Sequence, residues 1–249
     1  MRLLAAAVCA LLLAACAAAG PKGNKQEAAR INTQLGIDYA RNGQLQLAEE
    51  KLQRALEQDS SNALTYAALA FVYQQRGEAA PAERNYRRSL SLNPDDSQVR
   101  NNFGAFLCGR GKNAEGVEYF LQAVRDRRYT TPEVAWTNAG VCFRTQDPDK
   151  AEGYLREALR INPGFPDALS QMIALSVQKQ DYLRARAFVQ RYEQSGAPAS
   201  PQVLWQAAQA ESALGDWDAA RKYQIRLKRE FPDSEEAAMM LKTYQNDER

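Results

Sequence analysis

The chain has 249 residues, with 32 Lys plus Arg against 30 Asp plus Glu, so no overall field favours nucleic acid or anionic lipid. Histidine is absent, which excludes histidine triads, histidine metal sites and histidine general acid–base catalysis together. The length suits one elongated repeat domain or two small globules.

Residues 1–15, MRLLAAAVCALLLAA, read as a signal peptide. Arg2 supplies the positive start, Leu3 to Leu13 the apolar run, and small residues lead to the cleavage point. The run is too short to remain across a bilayer. Leu13-Ala14-Ala15-Cys16 resembles a bacterial lipobox, which implies cleavage before Cys16 and lipidation of its thiol with palmitate-type chains. The plainer alternative is a secretory signal that happens to contain a cysteine. Lipoproteins of this kind are held in the inner membrane by an aspartate after the cysteine. Ala17 stands there instead and implies the outer membrane, with the domain facing the periplasm. Several acyl chains anchor far more firmly than one, at roughly 0.8 kcal/mol per buried CH₂. Residues 16–28 then read as the lipidated cysteine and a short linker.

From about residue 29 to the end at 249 the chain reads as one repeat domain, and Ala63 to Asp96 is its clearest unit. Tyr66, Leu69, Ala70 and Tyr73 keep one helical face apolar, Gly77 breaks the helix, and a second helix carries Ala82, Tyr86 and Ser89 back toward the first. Asn93-Pro94 ends it. The unit is 34 residues long, and the same period recovers Leu35, Gly36, Tyr39, Gly43, Ala48, Leu52 and Ala55 behind it. Ahead of it lie Phe103, Gly104, Leu107, Gly111, Gly116, Phe120 and Ala123. Neither helix can bury its face alone, so neighbouring units must stack.

The pattern resembles the tetratricopeptide repeat, with small residues at Gly36, Ala70 and Gly104 on first helices and at Ala48, Ala82 and Gly116 on second helices. Repeats are expected at about 29–62, 63–96, 97–130, 133–165, 166–199 and 201–234, with a cap at 235–249. The third closes on Arg-Asp-Arg-Arg-Tyr where a proline is expected, and Gly104 to Gly140 is 36 residues, two more than the period. In the fourth, Asp147-Pro148 fills a shortened turn; in the fifth, Gln180 replaces the turn glycine. Trp136 and Trp217 read as repeat packing, and Ala238, Leu241 and Tyr244 as the covering face of the cap. The expected fold is all-α, a right-handed superhelix of about six repeats with a C-terminal capping helix.

Cys108 and Cys142 fall on first helices of adjacent repeats. Two readings stand: small core-tolerant residues, or a disulfide across the inserted junction, against which neighbouring helix axes about 8–10 Å apart count. Two sulfurs without histidine make no metal site, no glycine-rich phosphate loop or serine elbow occurs, and neither a cofactor nor an enzymatic activity is expected. The informative positions are those on first helices that face away from the partner helix. Thr33, Ile37, Leu64, Ala67, Phe71, Asn101 and Asn102 are expected to line a concave groove, with Thr137, Val141, Arg144, Trp205 and Gln209 continuing it. Either these are ordinary inter-repeat packing, or Ile37, Leu64 and Phe71 hold apolar anchors of a peptide while Asn101 and Asn102 bond its backbone.

The lipobox, the repeats and Asn101-Asn102-Phe103-Gly104-Ala105-Phe106-Leu107-Cys108 together resemble the type IV pilus biogenesis and stability lipoprotein family, the pilotins of the pilus secretin. That resemblance implies an outer-membrane lipoprotein that binds the secretin and promotes its localisation and ring assembly, with twitching motility dependent on it. No nucleic acid or small-molecule substrate is implied. A general envelope adaptor, docking peptidoglycan enzymes or outer-membrane assembly factors, would carry the same lipid and repeats.

Overall fold

A computed structural model describes the backbone of residues 22–247 and the side chains of residues 25–242. Among the described residues there are thirteen α-helices and no strand. They are α1 (Lys22–Arg41), α2 (Leu45–Gln58), α3 (Ala63–Gln75), α4 (Ala79–Leu92), α5 (Ser97–Gly109), α6 (Asn113–Arg125) and α7 (Pro132–Phe143). After these come α8 (Pro148–Ile161), α9 (Pro166–Gln178), α10 (Tyr182–Gln194), α11 (Pro201–Ala213), α12 (Trp217–Glu230) and α13 (Glu235–Asp247). No helix among them is long and apolar enough to cross a membrane. Cys16 and the signal peptide lie outside the described residues. The first helix begins at Lys22, so residues 22–28 are helical where a linker is expected.

Five of the six described helix pairs are joined by the same short turn. In the second pair the backbone N–H of Gly77 donates to Gln74 and that of Glu78 to Tyr73, a closure that needs one left-handed residue. Gly77 supplies it at φ +75°, and Gly43, Gly111 and Gly215 do the same in their pairs. Gln180 takes this conformation at φ 58° without being glycine, because Asp181 N–H still closes on Ser176 and holds it there. The shortened fourth turn works differently: Asp147 caps α8 by accepting from the Lys150 N–H, and Pro148 opens the helix.

The chain divides after Val99 into two compact units. In the first, Ala40, Ala48, Leu52, Ala68, Leu69 and Val72 form the core, with Ile37, Tyr39 and Tyr73 packed on it. Gly36 is required by close approach, since a Cβ there would lie 2.5 Å from Leu52 Cγ. Polar groups cross-link helices both within and between the pairs. Thr33 and Thr65 share a hydroxyl–hydroxyl bond of 2.7 Å, Ser89 donates to the Ala63 carbonyl at 2.8 Å, and Glu49 accepts from the Tyr73 hydroxyl at 2.6 Å and from Arg76.

In the second unit the tightest crossing is α5 on α6, where an added Cβ on Gly104 would sit 2.7 Å from the Gly116 carbonyl. Farther along, Leu155, Leu169, Met172, Ile173, Leu175 and Val189 form a continuous buried cluster through the fifth pair. The irregular junction after α6 closes on Asp126, whose carboxylate accepts from the Arg128 N–H at 2.9 Å, while Tyr129 packs on the neighbouring core. Two packing expectations are corrected here. Trp217 is 68% exposed, not packed between repeats. The covering face of α13 is Ala237 and Met240, which pack with Leu204 and Leu227, while Ala238 and Leu241 are exposed. Glu235 to Leu241 carries two adjacent apolar rows of equal spacing, so periodicity alone does not choose between them. The side chain of Tyr244 lies outside the described residues.

Candidate functional site

On α3, Leu64, Ala67 and Phe71 stand at i, i+3 and i+7 and form one outward stripe. Leu64 is 52% exposed and Phe71 39% exposed, although Leu69 and Val72 on the same helix are fully enclosed. Ala67 is half-buried between them, a small floor to the stripe. Ile37 on α1 is half-buried and packs against the cluster containing Ala68, so it supports the core more than it offers a free anchor. A second exposed apolar pair on α1, Ile31 and Leu35 at i and i+4, is a feature that repeat matching conceals, because Leu35 occupies the position that Leu69 fills in the core of the next repeat.

Thr33 is 2% exposed, and its hydroxyl is committed to the Ala29 carbonyl at 2.8 Å and to Thr65. It ties the first two repeats together. In the second unit Asn101 is likewise buried; its carbonyl oxygen accepts from Asn138 Nδ2 at 3.0 Å, and its own Nδ2 faces Asn102 Oδ1 at 3.5 Å. Asn102 is exposed. The amide of Asn101 therefore acts first as an inter-helix brace. The continuing positions divide in the same way. Thr137 donates to the Glu133 carbonyl at 2.7 Å and Arg144 to Gln171 Oε1 at 2.6 Å, whereas Val141 is 45% exposed. Trp205 is half-buried against the core that includes Leu204.

Cys108 and Cys142 are bonded, with Cα atoms 5.5 Å apart. The axis separation that counts against a bond is not the relevant length. Facing Cα atoms each lie about 2.3 Å from their own axis toward the partner, so axes about 8–10 Å apart leave them roughly 3.4–5.4 Å apart. Gly116 makes room for the bridge, since a Cβ there would fall 2.6 Å from Cys108 Sγ.

Sequence reasoning missed the charged clusters. Glu152 on α8 receives Lys179, Arg156 and Arg184. Burial pushes its carboxyl up, but hydrogen bonds from Lys179 and Arg156 and the charge of Arg184 together bring it down to about 2. Between α10 and α12, Glu193 accepts from Arg226 at 3.1 Å and from the Tyr223 hydroxyl at 3.4 Å beside a cavity of about 270 Å³. Burial, then the Glu193 charge, raises Tyr223 to about 12. These are inter-repeat braces, visible only once the repeats are stacked. Among the described residues no three Cys, Asp or Glu side chains converge as metal ligands. What remains chemically available in the first unit is an apolar surface suited to side chains of another polypeptide.

The tetratricopeptide repeat family matches residues 32–167, more than half of the chain. The type IV pilus assembly protein PilF of Pseudomonas aeruginosa is 31% identical over 211 residues, covering 84% of this chain and 83% of that protein. The crystal structure of PilW, described as a widely conserved type IV pilus biogenesis factor, superposes with a TM-score of 0.77 at 32% identity, covering 86% of this chain and 98% of that one. The structure of Pseudomonas aeruginosa PilF gives 0.76 at 29% identity, covering 88% and 99%. The helix-pair fold read from the sequence is thereby shown, and the chain belongs to the tetratricopeptide repeat family and, within it, to the family of the type IV pilus assembly protein PilF.

Proposed function

We propose that this chain is a non-enzymatic scaffold in type IV pilus biogenesis that binds the pilus secretin and promotes its assembly in the outer membrane. The observation that carries the binding surface is the exposure of Leu64 and Phe71 on one stripe of α3, in a helix whose other large aliphatic side chains, Leu69 and Val72, are enclosed. Kinship with PilF over most of both chains supports the pathway. Lipidation at Cys16 would supply the membrane address, and the stripe would take apolar anchors of an extended or helical secretin segment.

The test uses Leu64→Glu/Phe71→Glu, chosen because both positions are exposed and neither supports the core, as Ile37 does. Captured on the purified chain, the secretin of the same organism should bind wild type and a Leu183→Glu control, at an exposed apolar side chain outside the stripe, and be lost from the double variant. Equal capture by all three, with unchanged helical melting, would remove the stripe from the account.

A further inference from the structure

The near-neutral balance of the whole chain conceals a strongly uneven α12. Ala220 and Leu227, seven residues apart, are its buried side and seat it in the repeat. On the opposite side, at 100° per residue, Trp217, Lys228, Arg221, Ile225, Arg229 and Lys222 share an arc of about 140°. All six are exposed, Trp217 by 68% and Ile225 by 57%. One carboxylate, Asp218, lies among them. Arg229 pairs with Glu230 at 2.7 Å, whereas Arg221, Lys222 and Lys228 make no ion pair among the described residues. Arg226, by contrast, is turned to Glu193 and Glu230 and serves the inter-repeat brace. Lys228 and Arg229 also suit the helix C-terminus, but Arg221 and Lys222 sit too early in the helix for that role.

Four cations flanking an exposed tryptophan and isoleucine, on a helix whose other side is anchored, match the surface that lies in a bilayer interface: basic groups meet lipid phosphates and the ring enters the headgroup layer. We infer that the outer face of α12 docks on an anionic phospholipid surface. The complementarity favours lipid over an apolar protein groove, because the two apolar side chains are separated by cations that such a groove would have to desolvate.

The experiment reconstitutes the full chain into vesicles of phosphatidylethanolamine with phosphatidylglycerol, or of phosphatidylcholine alone, each containing brominated acyl chains that quench tryptophan on contact. The Trp217 signal is the difference between wild type and Trp217→Phe. Docking predicts that this signal is quenched and blue-shifted in anionic vesicles and much less so in phosphatidylcholine. Each basic group near an anionic leaflet contributes roughly fivefold, so Arg221→Gln/Lys222→Gln/Lys228→Gln should lower the docked-to-undocked ratio by about a hundredfold. High salt should act in the same direction. Equal Trp217 quenching in both lipids, no quenching in either, or quenching indifferent to the triple variant would overturn the inference.

Discussion

Reducing the Cys108–Cys142 bond is expected to destabilise the third and fourth repeats more than any single surface substitution. The bridge closes a loop of 34 residues that includes α6 and the irregular junction after it. The chain-entropy relation for a loop of that length gives about 3.8 kcal/mol at 25 °C. Near the melting point a change of 1 kcal/mol moves a domain of this size by roughly 2–4 °C, so the full effect is a fall of about 8–15 °C. Because stability in stacked repeats is spread over nearest-neighbour contacts, the loss should appear as an earlier, separate transition and not as a uniform shift. Circular dichroism melting of the same chain with and without a phosphine reductant reads this directly, and Cys108→Ser/Cys142→Ser should reproduce it without reductant. A melting curve that moves by less than about 2 °C on complete reduction would refute the reasoning, because the loop entropy cannot vanish unless the unfolded state already holds the two cysteines together.

Three further outcomes follow from packing and charge. Gly104→Ala should cost about 1–3 kcal/mol, because its Cβ would meet the Gly116 carbonyl and the Phe120 ring, whereas exposed Gly153→Ala, with nothing within 4 Å, should gain about 0.5–1 kcal/mol of helix propensity; urea unfolding of both variants checks the contrast. Gln180→Gly should raise the melting temperature by roughly 1–3 °C by relieving the left-handed backbone, and a decrease would show that the Gln180 side chain contributes more than its backbone costs. The Glu152 carboxylate, brought from 4.5 to about 2, contributes stability above its ordinary pKa that is lost as pH falls through 2. Glu152→Gln should therefore cost about 2–3 kcal/mol near neutrality and much less near pH 2; a gap in urea midpoints that does not narrow on acidification would contradict the assignment.

What could be read from the sequence followed from constraints that act within one repeat. Gly77 and its equivalents are local demands of the turn, and Gly36 and Gly104 are demands of one helix crossing, so a fixed period exposes them. Gln180 was legible as a substitution in that pattern, while its retained left-handed backbone follows from the hydrogen bonds around it. Features set by what covers a helix were not legible. Leu35 and Leu69 occupy the same place in their repeats, yet one is exposed and the other enclosed. The covering face of α13 slipped by one position because two apolar rows run side by side there. In the candidate site, Leu64 and Phe71 are exposed, whereas Thr33 and Asn101 spend their polar groups on neighbouring helices. Periodicity places a side chain on a face but does not count its hydrogen-bond partners.

The most direct measurement is secretin multimerisation in a strain lacking this gene, read as detergent-resistant oligomers in separated inner and outer membranes. Oligomers should disappear or remain in the inner membrane, wild type should restore them, and Leu64→Glu/Phe71→Glu should not restore them despite normal abundance. Oligomers that form normally in the outer membrane of the deletion strain would contradict the central claim.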